Sequence, residues 1–286
     1  RLTDGTGVQT CALPISEAAR RALGEIRAFA WDPETGPPPA AAFDGVDTVF
    51  HLAGEPVAGG RWTAERKARI RSSRERGTRH LVAGLQAAST RPAVLVSASA
   101  VGYYGDRGDQ ELDESAAPGG GFLADVCRVW EDEAARAREA GLRVVPVRSG
   151  IVLGEEGGAL GRLLPLFSAG LGGTLGRGDQ WMPWVHVDDV VGLMLHAAAT
   201  DGMDGPANAV APGIVRNRAF TRALASALRR PAFLPVPSFA LRLALGEFGE
   251  SLTHSQRVIP AAARSFGYAF AYPALADALA AILTTP

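Results

Sequence analysis

Four apolar runs of the chain end in side chains able to hold or transform a ligand. They are His51-Leu52-Ala53-Gly54, the Ser97 and Ser99 pair, Arg148 with Ser149 and Gly150, and His186 within "WVHVDD". In an open parallel sheet, ligands lie beyond the carboxyl ends of the strands, so these run-ends are where chemistry is expected. Ala53 and Gly54 are small, either because a ligand approaches the backbone or because a strand turns there into a helix. Ser97 and Ser99 either hydrogen-bond a ligand or cap a strand end. Arg148 either meets an anionic ligand or forms an ion pair with Asp188 or Asp189. His186 is either an acid/base group or a packed histidine. The five histidines (His51, His80, His186, His196, His254) show no metal-ligand spacing, so no metal site is expected. No Gly-x-Ser-x-Gly elbow points to a hydrolase.

The bulk composition narrows the class. At 286 residues and 47% hydrophobic, the chain can bury a full core, as one large domain or as a domain with a smaller lobe. Net charge is −1 and no basic run is interleaved with aromatics, which argues against nucleic acid as a partner. No apolar stretch approaches the ~18 residues needed to span a membrane. Cys11 and Cys127 form neither a disulfide framework nor a metal cluster, and a cytoplasmic protein with a small-molecule substrate is expected. Oligomeric state is not legible.

Short apolar runs alternate with helical patterns, which predicts an α/β fold with a parallel sheet. Strands are expected at 26–31, 46–54, 93–99 and 143–154, with a last short one in "GPANAVAP". The near-continuous apolar run 93–99 reads as a strand covered on both faces. Helices are expected at 63–89, with Ile70, Leu81, Val82 and Leu85 inward, through "GFLADVCRVWEDEAARAREAG" up to Gly141, and near 158–170. Asp188 and Asp189 sit at a helix start, where carboxylates cap free N–H groups. Beyond Arg216 the helical segments are broken by Pro231, Pro235, Pro237 and Pro260, as in a separate small lobe.

The segments "HLAGEPVAGGRWTAERKARIRSSRERGTRHLV", "VLVSASAVGYYGDRGD", "GFLADVCRVWEDEA", "RSGIVLGEEGGAL", "QWMPWVHVDDVVGLMLHA" and "LPVPSFALRLALGEFGE" carry a dense resemblance. From about residue 26 to its end, the chain resembles the extended short-chain dehydrogenase/reductases, and more closely their atypical epimerase-like NAD(P)-binding branch. That branch ends in a small domain of unknown function. The resemblance implies a doubly wound parallel-sheet Rossmann domain over 17–153 and 186–212. It implies a mostly helical substrate lobe over 154–185 and 213–286. It makes NADP (or NAD) the cofactor, with His51, Leu52, Ala53, Gly54, Ser97 and Arg148 as cofactor-binding residues. Catalytic candidates are Ser99, Tyr104 and His186, with Tyr103 and Cys127 as further substitutes for the acid/base group and a polar loop around Gln180 and His186.

One departure limits the chemistry. Ordinary members use a Tyr-x-x-x-Lys pair for proton exchange beside the nicotinamide. Here the only lysine, Lys67, lies upstream of all four tyrosines, so no such pair exists. Leu123 stands where the tyrosine would be and Cys127 where the lysine would be. Ser99 falls at the usual serine, and Ser73 roughly at the usual asparagine. The reading is an oxidoreductase or epimerase-like protein with nucleotide sugars as one substrate class. Its alternative is an NAD(P)H-binding sensor or scaffold without turnover.

The opening "RLTDGTGVQTCALPIS" carries Gly5-Thr6-Gly7 but neither a preceding buried strand nor a third small residue, since Thr10 stands there. "TGVQTCALPI" is one reading frame of ACTGGAGTTCAGACGTGTGCTCTTCCGATC, which resembles a sequencing-library adapter. Residues 1–16 are therefore expected to be non-native, with the first βαβ unit and its phosphate loop cut away. Weak dinucleotide binding and exposed apolar sheet surface are the expected consequences.

Overall fold

The computed structural model describes residues 9–12, 27–58, 60–155 and 158–284, with backbone alone for 9–12 and 284. In chain order the strands are β1 (Gln9–Ala12), β2 (Arg27–Ala30), β3 (Thr48–His51), β4 (Val94–Ala100), β5 (Glu111–Leu112) and β6 (Arg143–Ser149). They continue with β7 (Ile151–Leu153), β8 (Trp181–Met182), β9 (Trp184–His186), β10 (Ala207–Ala209), β11 (Val215–Arg216) and β12 (Arg257–Val258). The helices are α1 (Ala64–Ala87), α2 (Phe122–Ala135), α3 (Gly158–Ser168), α4 (Val187–Ala199) and α5 (Asn217–Ala227). Four more follow: α6 (Ser238–Leu245), α7 (Glu247–Ser251), α8 (Ala261–Ser265) and α9 (Leu275–Thr284).

The central sheet has the order β10-β6-β4-β3, all parallel. Its inner strands alternate between two helical layers. Val94 and Val96 of β4, with Val145 and Val147 of β6, pack on Val190, Leu193, Met194 and Ala197 of α4. Leu95 and Val144 face the other way, onto Leu81, Val82 and Leu85 of α1 and Ala134 of α2. This two-sided burial is why those strands read as unbroken apolar runs, and it makes the fold α/β and doubly wound. Helix α1 starts at Thr63, whose side chain accepts the Arg66 amide, and it buries Ile70, Leu81, Val82 and Leu85. Helix α2 runs into a 3-10 turn that stops at Gly141, where φ is 86°.

Two expectations are corrected. The run 143–154 is two strands in two sheets, β6 in the central one and β7 beside β9. The break is at Gly150, where an added Cβ would lie 2.4 Å from the Pro183 carbonyl oxygen. The Ile151 amide donates to that same oxygen at 2.7 Å, so the chain changes sheets there. The cap of α4 is not an aspartate either. His186 is the cap, its Nδ1 accepting the Asp188 amide at 3.1 Å. Asp189 is fully buried and faces the C-terminal segment instead. It accepts hydrogen bonds from the amides of Ala271 (2.7 Å) and Tyr272 (3.0 Å) and from the Tyr268 hydroxyl (3.2 Å).

Strand β1 pairs in parallel with β2, outside the central sheet. The rest of segment 1–16, including Gly5 to Gly7, lies outside the described residues. Among the described residues β3 has a strand partner on one side only, and its Phe50 is 40% exposed. A third core gathers Leu153, Leu160, Phe167 and Trp184 with Phe220 and Leu224 of α5 and Leu279 of α9. Short pairings of β12 with β5 and of β11 with β8 tie the C-terminal third to the loops at the sheet's carboxyl edge.

Replacing Asp189 with alanine leaves two amides without their buried acceptor. A loss on the order of 3 kcal/mol is expected in urea unfolding, whereas exposed Asp188→Ala should cost under about 1 kcal/mol. Equal midpoints for the two variants would refute the tether.

Candidate functional site

Ser99, Arg148 and Asn208 stand abreast in register on β4, β6 and β10, near the carboxyl ends of the strands. All three are buried, so each must find polar partners inside the protein. Glu131, from the third turn of α2, supplies the central one. Its carboxylate takes a bidentate pair from Arg148, Nε to Oε1 at 2.9 Å and Nη2 to Oε2 at 2.7 Å. Ser99 Oγ donates to the same Oε1 at 2.6 Å. The remaining Arg148 nitrogen, Nη1, donates to the Tyr104 hydroxyl at 2.9 Å, which in turn donates to Asn208 Oδ1 at 2.7 Å. Asn208 completes its set through the Ile259 carbonyl at 2.9 Å and, by its amide, Glu114 Oε1 at 2.9 Å. The Tyr103 ring covers the guanidinium at 3.5 Å.

Electrostatics follow from this burial. Burial pulls the Arg148 pKa down, but hydrogen bonding to and charge attraction by Glu131 outweigh it, and the net direction is up. Burial pushes the Tyr104 hydroxyl to about 12, with Arg148 opposing. Cys127 is raised to about 12, by burial first and then by the Glu131 charge. Neither group is a ready proton donor or acceptor near neutral pH.

Of the residues singled out in the sequence, Ser99, Tyr104 and Arg148 are thus brought into one network. Arg148 pairs with Glu131 rather than with Asp188 or Asp189, because Asp189 is engaged at 271–272 and Asp188 points to solvent. Ser97 is buried one step further into the sheet, and its Oγ donates to the Ala98 carbonyl at 3.3 Å. His51 is buried against Thr78, Nε2 to Oγ1 at 2.8 Å, with Trp130 edge-on at 6.4 Å. Leu52 (62% exposed) and Gly54 lie at the surface beyond β3, with Ala53 between them half-buried. Ser73 accepts the Glu55 amide at 3.0 Å. His186 lies in a separate cleft of about 200 Å³ with Gly154, Asp188 and Tyr272, its ring stacked on Tyr272 at 3.9 Å. Glu131 and Asn208 were not singled out. The signal for Glu131 was present: it follows Cys127 by four residues, on the same helix face as the Leu123 and Cys127 positions.

A larger open cavity of about 550 Å³ begins at Asp106, on the loop leaving Tyr104, and is lined further by Asp109, Arg177, Gln180, Arg216 and Ser255. Among the described residues no three His, Cys, Asp or Glu side chains gather as a metal site, and no helix is long and apolar enough to cross a membrane.

The family model described as "NAD dependent epimerase/dehydratase family" matches residues 39–210, more than half of the chain. The chain belongs to that family. A domain of unknown function, DUF1731, matches residues 236–282. An epimerase family protein of Mycobacterium leprae is 40% identical over 268 residues, covering 93% of this chain and 87% of the relative. The human epimerase family protein SDR39U1 is 35% identical over 249 residues, covering 85% and 84%. The crystal structure of human SDR39U1 (isoform 2) with NADPH superposes with a TM-score of 0.81 at 33% identity, covering 89% of this chain and 86% of that one. UDP-glucuronic acid 4-epimerase from Bacillus cereus, in complex with UDP-glucuronic acid and NAD, shares the fold with a TM-score of 0.74 at 14% identity, over 93% and 83% of the two chains.

Within this epimerase-family fold, α2 presents Leu123 and Cys127 to Gly102, just past the end of β4. Alongside lie the exposed Gly54 after β3, the Arg74 guanidinium against it, and the buried Trp130 indole N–H, which has no hydrogen-bond partner.

Burial, and then the charge of Arg74, lower the His51 pKa from 6.5 to about 4. A depressed folded-state value means the associated stability is present above pH 6.5 and is lost as pH falls toward 4. The shift corresponds to on the order of 3 kcal/mol. Urea midpoints of wild type and His51→Gln between pH 7 and 4.5 should therefore converge in acid. Parallel pH curves for the two proteins would contradict a buried neutral His51.

Proposed function

We propose that this protein is an NAD(P)-dependent oxidoreductase or epimerase-like enzyme. In this reading Ser99 and Glu131 exchange the proton that a Tyr-x-x-x-Lys pair exchanges elsewhere. The observation that carries it is the 2.6 Å hydrogen bond from Ser99 Oγ to a carboxylate that Arg148 clamps in one orientation, near the carboxyl end of the central strands.

Residues 17–153 and 186–212 form the cofactor part in this reading, and 154–185 with 213–286 the substrate lobe. The cofactor rests on the strand ends at Ala53 and Gly54. NADP is favoured over NAD because a relative's structure holds NADPH. When bound, the nicotinamide supplies a hydride acceptor or donor at a carbon bearing a hydroxyl or carbonyl group. The protein's own residues handle the proton. With its O–H hydrogen-bonded to Glu131, Ser99 Oγ keeps lone pairs to accept a hydrogen bond from a substrate hydroxyl. It takes that proton while passing its own to Glu131. Tyr104 acts on Ser99 only through Arg148, as a positioning residue. The cavity between Asp106 and Ser255 holds the remainder of a small polar substrate. Nucleotide sugars are one such class, by analogy with what related folds hold.

A second reading, dinucleotide binding without turnover, draws support from the buried state of Tyr104 and its pKa of about 12.

The test is nicotinamide absorbance during incubation with a panel of nucleotide sugars and carbonyl compounds. Ser99→Ala and Glu131→Gln should each lower kcat by about 10²–10⁴-fold, the usual range for a positioned acid/base group. Tyr104→Phe should cost less than about tenfold, because a positioning hydroxyl is worth roughly one buried hydrogen bond. Unchanged rates in Ser99→Ala and Glu131→Gln would remove the pair from the mechanism. Saturable NADPH binding with neither an absorbance change nor an epimerised product across the panel would establish the second reading.

A further inference from the structure

Arg74 is a cation that the network around Glu131 does not use. Its guanidinium lies beyond the end of β3, with Nη1 donating to the backbone carbonyls of Glu55 (3.0 Å) and Ile70 (3.1 Å). Among the described residues no carboxylate oxygen comes within 4.0 Å of it, since Glu55 turns its own carboxylate toward Arg69, at 3.8 Å. The charge is felt locally: it helps to depress His51 and opposes the rise at Cys127. One face of the group lies over the Trp130 ring at 4.8 Å. Another meets the exposed backbone at Gly54, where a Cβ would stand 3.1 Å from Cζ. Trp130 brings a second incomplete group, an indole N–H that is buried and has no hydrogen-bond acceptor. A guanidinium with no carboxylate oxygen within 4.0 Å among the described residues, stacked on the Trp130 ring, meets a side-chain-free approach at one strand end. Together they are what a bound anion requires.

We infer that Arg74, with Trp130 beside it, forms a phosphate-binding subsite at the carboxyl end of β3 that takes the diphosphate of the dinucleotide. This rests on the proposed cofactor reading. It adds a specific cation from α1 to a subsite that the ordinary pattern builds from the glycine loop and the first helix N-terminus. The planar guanidinium can still direct Nη2 and Nε toward two phosphate oxygens while Nη1 stays on the Glu55 carbonyl.

Binding is measured by isothermal titration of the whole chain with NADPH and, separately, with inorganic pyrophosphate, at two NaCl concentrations. Arg74→Met is expected to weaken NADPH at least tenfold and to flatten the salt dependence of Kd. Arg74→Lys, which keeps the charge but loses the fork, should fall between, and it serves if the methionine variant unfolds. Trp130→Phe should weaken binding a few-fold without changing the salt slope. Wild-type affinity in Arg74→Met and Arg74→Lys alike overturns the inference. If wild type binds pyrophosphate through Arg74 but not NADPH, the subsite stands and the cofactor reading falls. If it binds neither, both fall.

Discussion

Arg148 sits near the carboxyl end of β6 with almost no access to water, and a charge so placed must be neutralised where it stands. Leaving it unpaired would cost several kcal/mol, so the surrounding elements are committed to supplying partners. Helix α2 has to bring Glu131 to the sheet, which sets its rotation and presents Leu123 and Cys127 to Gly102. The turn after β4 has to deliver Tyr104, and β10 has to end with Asn208 beside it. The Asn208 amide then recruits Glu114, whose carboxylate also accepts the Ala262 amide at 3.1 Å. One buried cation thereby links three sheet strands, a helix from the first half of the chain and the start of α8 in the last quarter.

The layers of the fold were readable because their cause is local. Val94 to Val96 and Val144 to Val147 are apolar at every position, and only a strand sandwiched between two helical layers needs that. Helix α1 announced itself by the spacing of Ile70, Leu81, Val82 and Leu85, while Gly141 marked the stop after α2. Gly150 was harder to read. Its role is set by Pro183, distant in sequence, whose carbonyl occupies the space a side chain would need.

The candidate site was legible in its positions and not in its pairings. Ser99 and Arg148 stood out as polar groups at run-ends and Tyr104 as a candidate through the resemblance, and they do meet. What they meet is decided by tertiary packing. By sequence Arg148 had Asp188 and Asp189 as carboxylate partners, and only the rotation of α2 brings Glu131 to it instead. Asp189 and His186 exchanged roles for a similar reason. Both stand at the start of α4, but the acceptor that the 271–272 backbone needs is the buried one, so the histidine is left to cap the helix.

That exchange has a consequence for synthesis on the ribosome. Asp189 is buried only when Ala271 and Tyr272 have arrived, and Glu114 is satisfied only when Ala262 has. Helix α4 covers the valines of β4 and β6, so the central sheet can be roofed early while this carboxylate still lacks its partners. The nascent chain thus carries a charged gap under its main helix until residues 262–272 emerge. The arrival of that segment closes the fold from outside, like the final stone set in an arch.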